Sequence, residues 1–217
     1  VCASILLHDV GHGPFSHTLE HSIVQHISHE QISLRMMKRM NDEYDGKLTL
    51  ALEIFTNNYH KHFLHQLVSS QLDMDRLDYL SRDSFYCGVS EGIVGSARII
   101  KMLNVHNDKL VVEAKGIYSI EKFLVARRLM YWQVYLHKTS TAAEIMLINI
   151  LRRAKELSSR GEKLFGPPAL LYFLSREITL SDFNNSPEAL DNFALLDDSD
   201  ILCAIKAWSN HTDFVLS

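Results

Sequence analysis

The sequence of 217 residues predicts a mostly α-helical fold with one small β-hairpin and a C-terminal helical appendage. Apolar residues recur at helical spacing along most of the chain, as in Phe15, Leu19 and Ile23. In the segment 105–113, by contrast, apolar and β-branched residues flank Asn107-Asp108, a turn signal typical of a hairpin. A linker rich in glycine and proline precedes the last helices. The sequence therefore predicts one domain over residues 1–160 and a helical appendage over 161–217.

Start and stop signals place the individual helices. Ser28 and Gln31 form a capping box that begins one helix, and Gly88 is suited to end another. The predicted helices cover 1–8, 15–23, 28–40, 48–55, 62–86 with an interruption near 69–70, 93–103, 117–158 with a break near 137, 169–176 and 198–210. A polar loop is predicted between the last two, around Asn184 to Pro187.

Composition excludes several classes of protein. The apolar content of 47% is sufficient for a packed core, and no apolar run is long enough for a membrane span. The net charge of −4 argues against general nucleic-acid binding, although a local basic pocket stays possible. Three scattered cysteines fit a reducing compartment, and no leader resembles a signal peptide, so the expected location is cytoplasmic.

The first thirty residues hold six of the twelve histidines. Among them, His8-Asp9 ends an apolar run, and Gly11 and Gly13 follow closely, so a bend can direct both side chains to one ion. An imidazole and a carboxylate with open positions suit a hydrolytic or redox divalent metal better than a structural zinc. Taken alone, the pair is better explained by a helix-end carboxylate beside a hydrogen-bonded histidine.

Two later segments also have a chemical and a structural interpretation. The first contains Asp73, Asp75 and Asp78, which indicate either a metal carboxylate with phosphate-binding neighbours or a solvated, salt-bridged helix face. The second, 127–138, places Arg127, Tyr131, Tyr135 and Lys138 near one helical side. It predicts a cationic, hydroxyl-bearing surface, or simply core aromatic residues with surface arginines.

Together these segments resemble the HD-domain superfamily of phosphohydrolases. The blocks His-Asp-Val-Gly-His-Gly-Pro-Phe-Ser-His (8–17), His-Glu-Gln (29–31), Asp-Met-Asp-Arg-Leu-Asp-Tyr-Leu-Ser-Arg-Asp (73–83) and Tyr-Leu-His-Lys (135–138) occur in order. They are similar to the deoxynucleoside triphosphate triphosphohydrolase branch over roughly residues 1–160. The resemblance implies a helical HD-domain bundle and release of inorganic triphosphate from a dNTP.

The resemblance also implies roles for individual residues. His8, Asp9 and Asp75 would be metal ligands, and His12, His17, His29 and Glu30 would line the catalytic pocket, with His17 as general acid. The residues expected around the triphosphate and sugar are Arg76, Tyr79, Asp83, Arg127, Tyr135, His137 and Lys138. The metal would be divalent, with Mg²⁺, Mn²⁺, Fe²⁺, Ni²⁺ and Zn²⁺ all compatible. The implied partners are a nucleotide substrate, a nucleotide activator and further copies of the chain, but no membrane and no nucleic acid.

The sequence departs from the family pattern in one respect. The family has another histidine ligand upstream, and no candidate precedes His8. Because Val1 lies within an apolar helical run without a capping residue, we expect the chain to be a fragment that lacks this ligand. Two alternatives remain open: another HD-type nucleotide phosphohydrolase or phosphodiesterase, such as a 5′-nucleotidase, and a non-catalytic nucleotide-sensing or nucleic-acid-binding module with a decayed metal site.

Overall fold

The computed structural model describes residues 1–20, 22–24 and 26–217, without the side chain of His17. The described residues form α1 (Cys2–Leu7), α2 (His17–Glu20), α3 (His29–Glu43), α4 (Thr49–Phe55), α5 (His62–Val68), α6 (Met74–Cys87), α7 (Ser96–Met102), β1 (Leu103–His106), β2 (Lys109–Val112), α8 (Ile117–Met130), α9 (Lys138–Ser159), α10 (Pro168–Leu174), α11 (Leu180–Asn185), α12 (Pro187–Leu195) and α13 (Asp198–Trp208). The predicted fold class, mostly helical with one hairpin, is confirmed.

The chain divides into two compact units. The first consists of 1–8 and 41–141, and the second of 9–40 and 142–217. The chain therefore passes from the first unit to the second between His8 and Asp9. The sequence-based division at residue 160 falls inside the second unit and stays a prediction.

The core of the first unit is formed by α6, α7 and α8. Leu80, Ile99 and Met130 are fully buried there, together with Phe123. The start of α6 is fixed by Asp73, whose side chain accepts the Arg76 backbone N–H at 2.8 Å. Its end is at Gly88, which adopts the left-handed conformation (φ 68°) predicted for a C-terminal glycine.

The hairpin lies where the sequence predicted it. Strands β1 and β2 pair antiparallel, from Leu103 opposite Val112 to His106 opposite Lys109. Asn107 and Asp108 both have positive φ, as a two-residue hairpin turn of this kind requires. Asp108 also accepts the His62 backbone N–H at 2.9 Å, which fastens the turn to α5.

The long helix predicted from 117 is interrupted as expected. After α8 ends, residues Tyr131–Tyr135 form a wider helical turn, in which the Leu136 N–H reaches the Tyr131 carbonyl at 2.8 Å. The helix resumes as α9 at Lys138. Such a wide turn changes the direction in which its side chains project, and it often occurs at functional sites.

The second unit has a single described core that includes the C-terminal helices. Phe173, Phe183 and Phe193 pack in mutual ring contact at 6.0 to 6.4 Å between centroids. The same core contains Leu19 and Ile32 from the N-terminal part of the unit. The C-terminal helices therefore share a core with the histidine-rich region.

Two sequence predictions in this unit were wrong. Among the described residues of the helix predicted over 15–23, only α2 is helical, and Phe15 and Ser16 adopt positive φ (53° and 52°), which no helix continues through. The polar loop predicted around 184–187 contains α11 and α12 instead. No helix in the described part of the chain combines the length and apolar character needed to cross a membrane.

Candidate metal centre and phosphate-binding side chains

His8 lies in the first unit, directly after the last residue of α1. Its Nδ1 is 2.6 Å from the carbonyl oxygen of Ile5. Because a carbonyl only accepts, Nδ1 carries the proton, and Nε2 is available as an acceptor when the imidazole is neutral. A backbone carbonyl on Nδ1 is the arrangement commonly found around metal-ligating histidines.

Asp75 lies in the first turn of α6, in the same unit. Its Oδ2 is 3.8 Å from His8 Nε2. The His8 imidazole is the main reason that the pKa of Asp75 is lowered, and the cationic Arg76 and Arg82 lower it further, while partial burial opposes the shift. The carboxylate is therefore ionised at neutral pH and directed at an imidazole nitrogen.

The approach of His8 Nε2 to the Asp75 carboxylate requires a positive charge on or between the two groups. A neutral imidazole would direct a lone pair at the carboxylate, so either Nε2 is protonated or a cation lies between the two groups. Two ligands of one ion, each about 2.1 Å from it, are at most about 4.2 Å apart. The observed 3.8 Å separation satisfies that limit. These two side chains therefore fit a divalent metal.

Tyr135 in the first unit contacts both Asp83, through a hydrogen bond, and Tyr79, through its ring. The Tyr135 hydroxyl donates to Asp83 Oδ2 at 2.7 Å, and the Tyr79 and Tyr135 rings meet edge to face at 6.0 Å. Burial, followed by the bond to Asp83, raises the pKa of Tyr135 well above its ordinary value, and burial also raises that of Tyr79. Both hydroxyls therefore stay protonated and can act as donors.

The predicted cationic residues of this unit have different surroundings. Arg127 Nη1 donates to Gln71 Oε1 at 2.9 Å, and its guanidinium lies 5.7 Å from the centre of the Tyr131 ring. Lys138, the first residue of α9, and His137 are exposed. Arg76 pairs with the buried Asp73 and with the Ser70 carbonyl. Its guanidinium therefore stabilises the start of α6 rather than projecting freely.

The loop 9–13 lies in the second unit, against the start of α3. The Gly11 N–H donates to Ser33 Oγ at 2.9 Å. A Cβ on Gly11 would come within 2.3 Å of the His29 carbonyl oxygen and of the Ser33 nitrogen. Only glycine permits so close an approach, which explains its place in this motif.

This contact brings three predicted site residues of the second unit together. The rings of His12 and His29 stack at 4.0 Å with an interplanar angle of 14°. His12 Nε2 is 3.8 Å from Asp9 Oδ1. One potential ligand atom from each of Asp9, His12 and His29 lies within 4.8 Å of the other two. The group therefore has the donors of a metal or phosphate site.

Sequence reasoning missed Glu20, at the end of α2. Its Oε1 is 2.9 Å from His29 Nδ1, and it also accepts the His29 backbone N–H. A separation of nine residues corresponds to no known motif, so no signal in the sequence indicated this contact. Glu30 is exposed on the first turn of α3. The predicted general acid, His17, begins α2, but its side chain lies outside the described residues.

This chain is similar to several known proteins. The family described as "HD associated region" matches residues 94–164. The crystal structure of a phosphohydrolase from Bacteroides thetaiotaomicron superposes with a TM-score of 0.95 at 66% identity, over 99% of this chain and 53% of that one. The chain belongs to the HD-domain phosphohydrolase superfamily.

Curated relatives place this HD-domain chain in a group that includes SAMHD1. It is 33% identical to the uncharacterized Bacillus subtilis protein YwfO, over 99% of this chain and 49% of that protein. It is 26% identical to a protein of Dictyostelium discoideum named as a deoxynucleoside triphosphate triphosphohydrolase SAMHD1 homolog, over 84% of this chain and 39% of that protein. The chain thus spans half or less of the length of these relatives.

Proposed function

We propose that this chain forms the catalytic part of a metal-dependent phosphohydrolase that converts dNTPs to deoxynucleosides and inorganic triphosphate. The observation that carries the proposal is the facing of His8 Nε2 and Asp75 Oδ2 at 3.8 Å, with the His8 proton held on Nδ1. Asp9 is joined to His8 by a peptide bond, and we include it as the third ligand. A bound divalent metal would polarise a phosphoryl oxygen and acidify water.

The first unit supplies side chains suited to a nucleotide. Arg127 and Lys138 offer positive charge to the triphosphate, and the protonated hydroxyl of Tyr79 donates a hydrogen bond to the nucleotide. The Tyr135 hydroxyl donates its one proton to Asp83 and thereby orients that carboxylate. Asp83, which accepts from Tyr135 at 2.7 Å, is suited to accept from a sugar hydroxyl as well. Arg76 acts indirectly, because its bonds to Asp73 and Ser70 fix the turn that carries Asp75.

The second unit supplies the groups that handle protons. Water attacks the α-phosphorus, the bond to the 5′-oxygen breaks, and that oxygen takes a proton from His17 as the deoxynucleoside leaves. His12 contacts the α-phosphate, and its ring is kept in place by stacking on His29. Glu20 holds His29 through Nδ1. Glu30 orients the attacking water or His17.

The other expectations drawn from the family have more limited support. Exposed apolar side chains cluster on and after α8, among them Tyr118 at 80%, Val125 at 57% and Trp132 at 58% exposure. Patches of this kind are typical of protein interfaces, which supports assembly with further copies of the chain. A nucleotide activator and a cytoplasmic location remain proposals from the resemblance alone.

Product analysis of the full-length protein tests the proposal. Each of the four dNTPs is incubated with Mg²⁺, Mn²⁺, Fe²⁺, Ni²⁺ or Zn²⁺, and the products are separated by anion-exchange chromatography. We expect deoxynucleoside and inorganic triphosphate, and loss of both metal binding and turnover in His8→Ala and Asp75→Ala. Release of pyrophosphate or of single phosphate would instead favour another HD-type nucleotide hydrolase. Absence of hydrolysis in all combinations would favour a non-catalytic nucleotide-binding module.

A further inference from the structure

The turn formed by residues 13–16 has an unfavourable backbone conformation. Phe15 and Ser16 are consecutive, neither is glycine, and both have positive φ (53° and 52°). Side chains with a Cβ rarely adopt this region, and two in succession persist only where the surroundings hold them. Within the turn, the Ser16 N–H donates to the Gly13 carbonyl at 3.0 Å. His12 immediately precedes the turn and His17 immediately follows it.

Two contacts from the C-terminal helices hold this turn. Asp198, at the start of α13, accepts the Phe15 backbone N–H through Oδ1 at 2.8 Å. Phe193, on α12, packs beneath Gly13, where an added Cβ would come within 3.2 Å of the ring. Phe193 is itself buried in the phenylalanine cluster of the second unit. The turn is thus fixed by residues that follow it by about 180 positions.

The helix α13 does not need Asp198 for its own start. Asp197 is the N-cap, and it forms a capping box with Asp200. The Asp198 side chain is exposed at the surface and bonds to the turn instead. Its removal should therefore loosen the turn while leaving the helix and the core in place.

We infer that Asp198 is a positioning residue, which holds the turn 13–16 and thereby fixes the backbone positions of His12 and His17 on either side of it. The inference rests on the proposed function. It gives Phe193 and Asp198, which the sequence placed in an appendage, a role in holding this turn. Because Asp198 acts on the two histidines rather than on the nucleotide, its loss should lower kcat more than it raises KM.

Three variants of the full-length protein test this role. Asp198→Ala removes the acceptor, Asp198→Asn keeps an acceptor oxygen at the same place, and Asp197→Ala weakens the same helix end without touching Phe15. Hydrogen exchange of the Phe15 amide and steady-state kinetics with a dNTP are measured for each. For Asp198→Ala we expect exchange about tenfold faster and kcat about tenfold lower, with KM within about twofold. Asp198→Asn should restore both quantities, and Asp197→Ala should change neither.

Two results would overturn the role of Asp198. The first is a Phe15 exchange rate and a kcat in Asp198→Ala that equal those of the wild type. The second is that Asp197→Ala changes both quantities as much as Asp198→Ala does. Failure of the proposed function is recognised separately, because the wild-type protein would then release no inorganic triphosphate from a dNTP. The exchange of Phe15 still decides in that case whether Asp198 holds the turn. Unchanged exchange in Asp198→Ala would refute the inference whatever the activity.

Discussion

His8 shows how one contact can define the chemistry of a side chain. The Ile5 carbonyl holds the proton on Nδ1, so Nε2 is the nitrogen that faces Asp75. The sequence showed only that an imidazole and a carboxylate lie next to each other at positions 8 and 9. Spacing alone could not show that Nε2 would face Asp75, since that depends on the packing of the first unit; only the family resemblance linked the two residues.

Tyr135 provides a prediction for nucleotide binding. In Tyr135→Phe, Asp83 loses the hydrogen bond that orients it at 2.7 Å. We expect KM for a dNTP to rise about three- to tenfold, the equivalent of about 1 kcal/mol, while kcat changes little. Steady-state kinetics measure this, with Tyr131→Phe as the matched control on the same helical turn. An unchanged KM in Tyr135→Phe would remove Asp83 and Tyr135 from the substrate site.

Gly11 provides a prediction for stability. A methyl group there would overlap the His29 carbonyl oxygen and the Ser33 nitrogen, both at 2.3 Å. We expect Gly11→Ala to lower the free energy of unfolding by about 1–3 kcal/mol, measured by urea denaturation. Gly95→Ala is the control, because its added Cβ would have no neighbour nearer than 4.0 Å and its φ is −78°. Equal stabilities of the two variants would contradict the close approach of the loop to α3.

Sequence spacing does not show which partners a long polar side chain will contact. Glu20 contacts His29 nine positions later, a separation that belongs to no motif. Arg76, predicted to contact phosphate, also pairs with the buried Asp73, three positions earlier. Long polar side chains reach several partners, and sequence spacing alone does not decide among them.

At the level of elements, local signals predicted most of the helices. The capping box at Ser28 and Gln31 is present, with the two bonds at 3.1 and 3.3 Å. The helices α11 and α12 were missed although their signals exist: a capping box at Thr179 and Asp182, and Ser186 as N-cap before Pro187. They are short and begin in polar segments, so their stability comes from burial of Phe183 and Phe193 in a core that the sequence does not display.

The ion pairs of Arg153, on α9, provide a prediction for how stability depends on pH. Arg153 donates to Asp213 at 2.6 Å and to Glu156 at 2.7 Å, and these bonds are the main reason that the pKa values of both carboxyl groups are lowered. Because both pKa values are lowered, the ion pairs stabilise the folded protein above the ordinary carboxyl pKa of about 4. This stabilisation is lost as the pH falls through the lowered pKa values. Arg153→Gln should therefore be less stable than the wild type at pH 7, with a difference that shrinks on acidification below about pH 4.

Urea denaturation at pH 7 and pH 3 measures this difference. Arg160→Gln is the control, because Arg160 forms only an exposed ion pair with Glu156, four positions earlier on the helix. It should differ little from the wild type at either pH. A stability difference for Arg153→Gln that stays constant or grows toward pH 3 would show that the ion pairs do not contribute as described.

On the scale of the whole molecule, the candidate site residues are distributed between the two compact units. His8, Asp75 and the residues expected to contact nucleotide belong to the first, and Asp9, His12, His29 and Glu30 belong to the second. The sequence motifs supplied these candidate residues, because most of them lie within the motifs. They did not predict the division, because the chain passes between the units inside the His8-Asp9 motif itself.

The central claim is that water attacks the α-phosphorus of a dNTP, and hydrolysis in ¹⁸O-labelled water tests it most directly. The full-length protein is supplied with a divalent metal and one dNTP, and the products are analysed by mass spectrometry. Our account predicts inorganic triphosphate that carries one ¹⁸O atom and a deoxynucleoside that carries none. A label in the deoxynucleoside, or formation of a deoxynucleoside monophosphate with pyrophosphate, would contradict it.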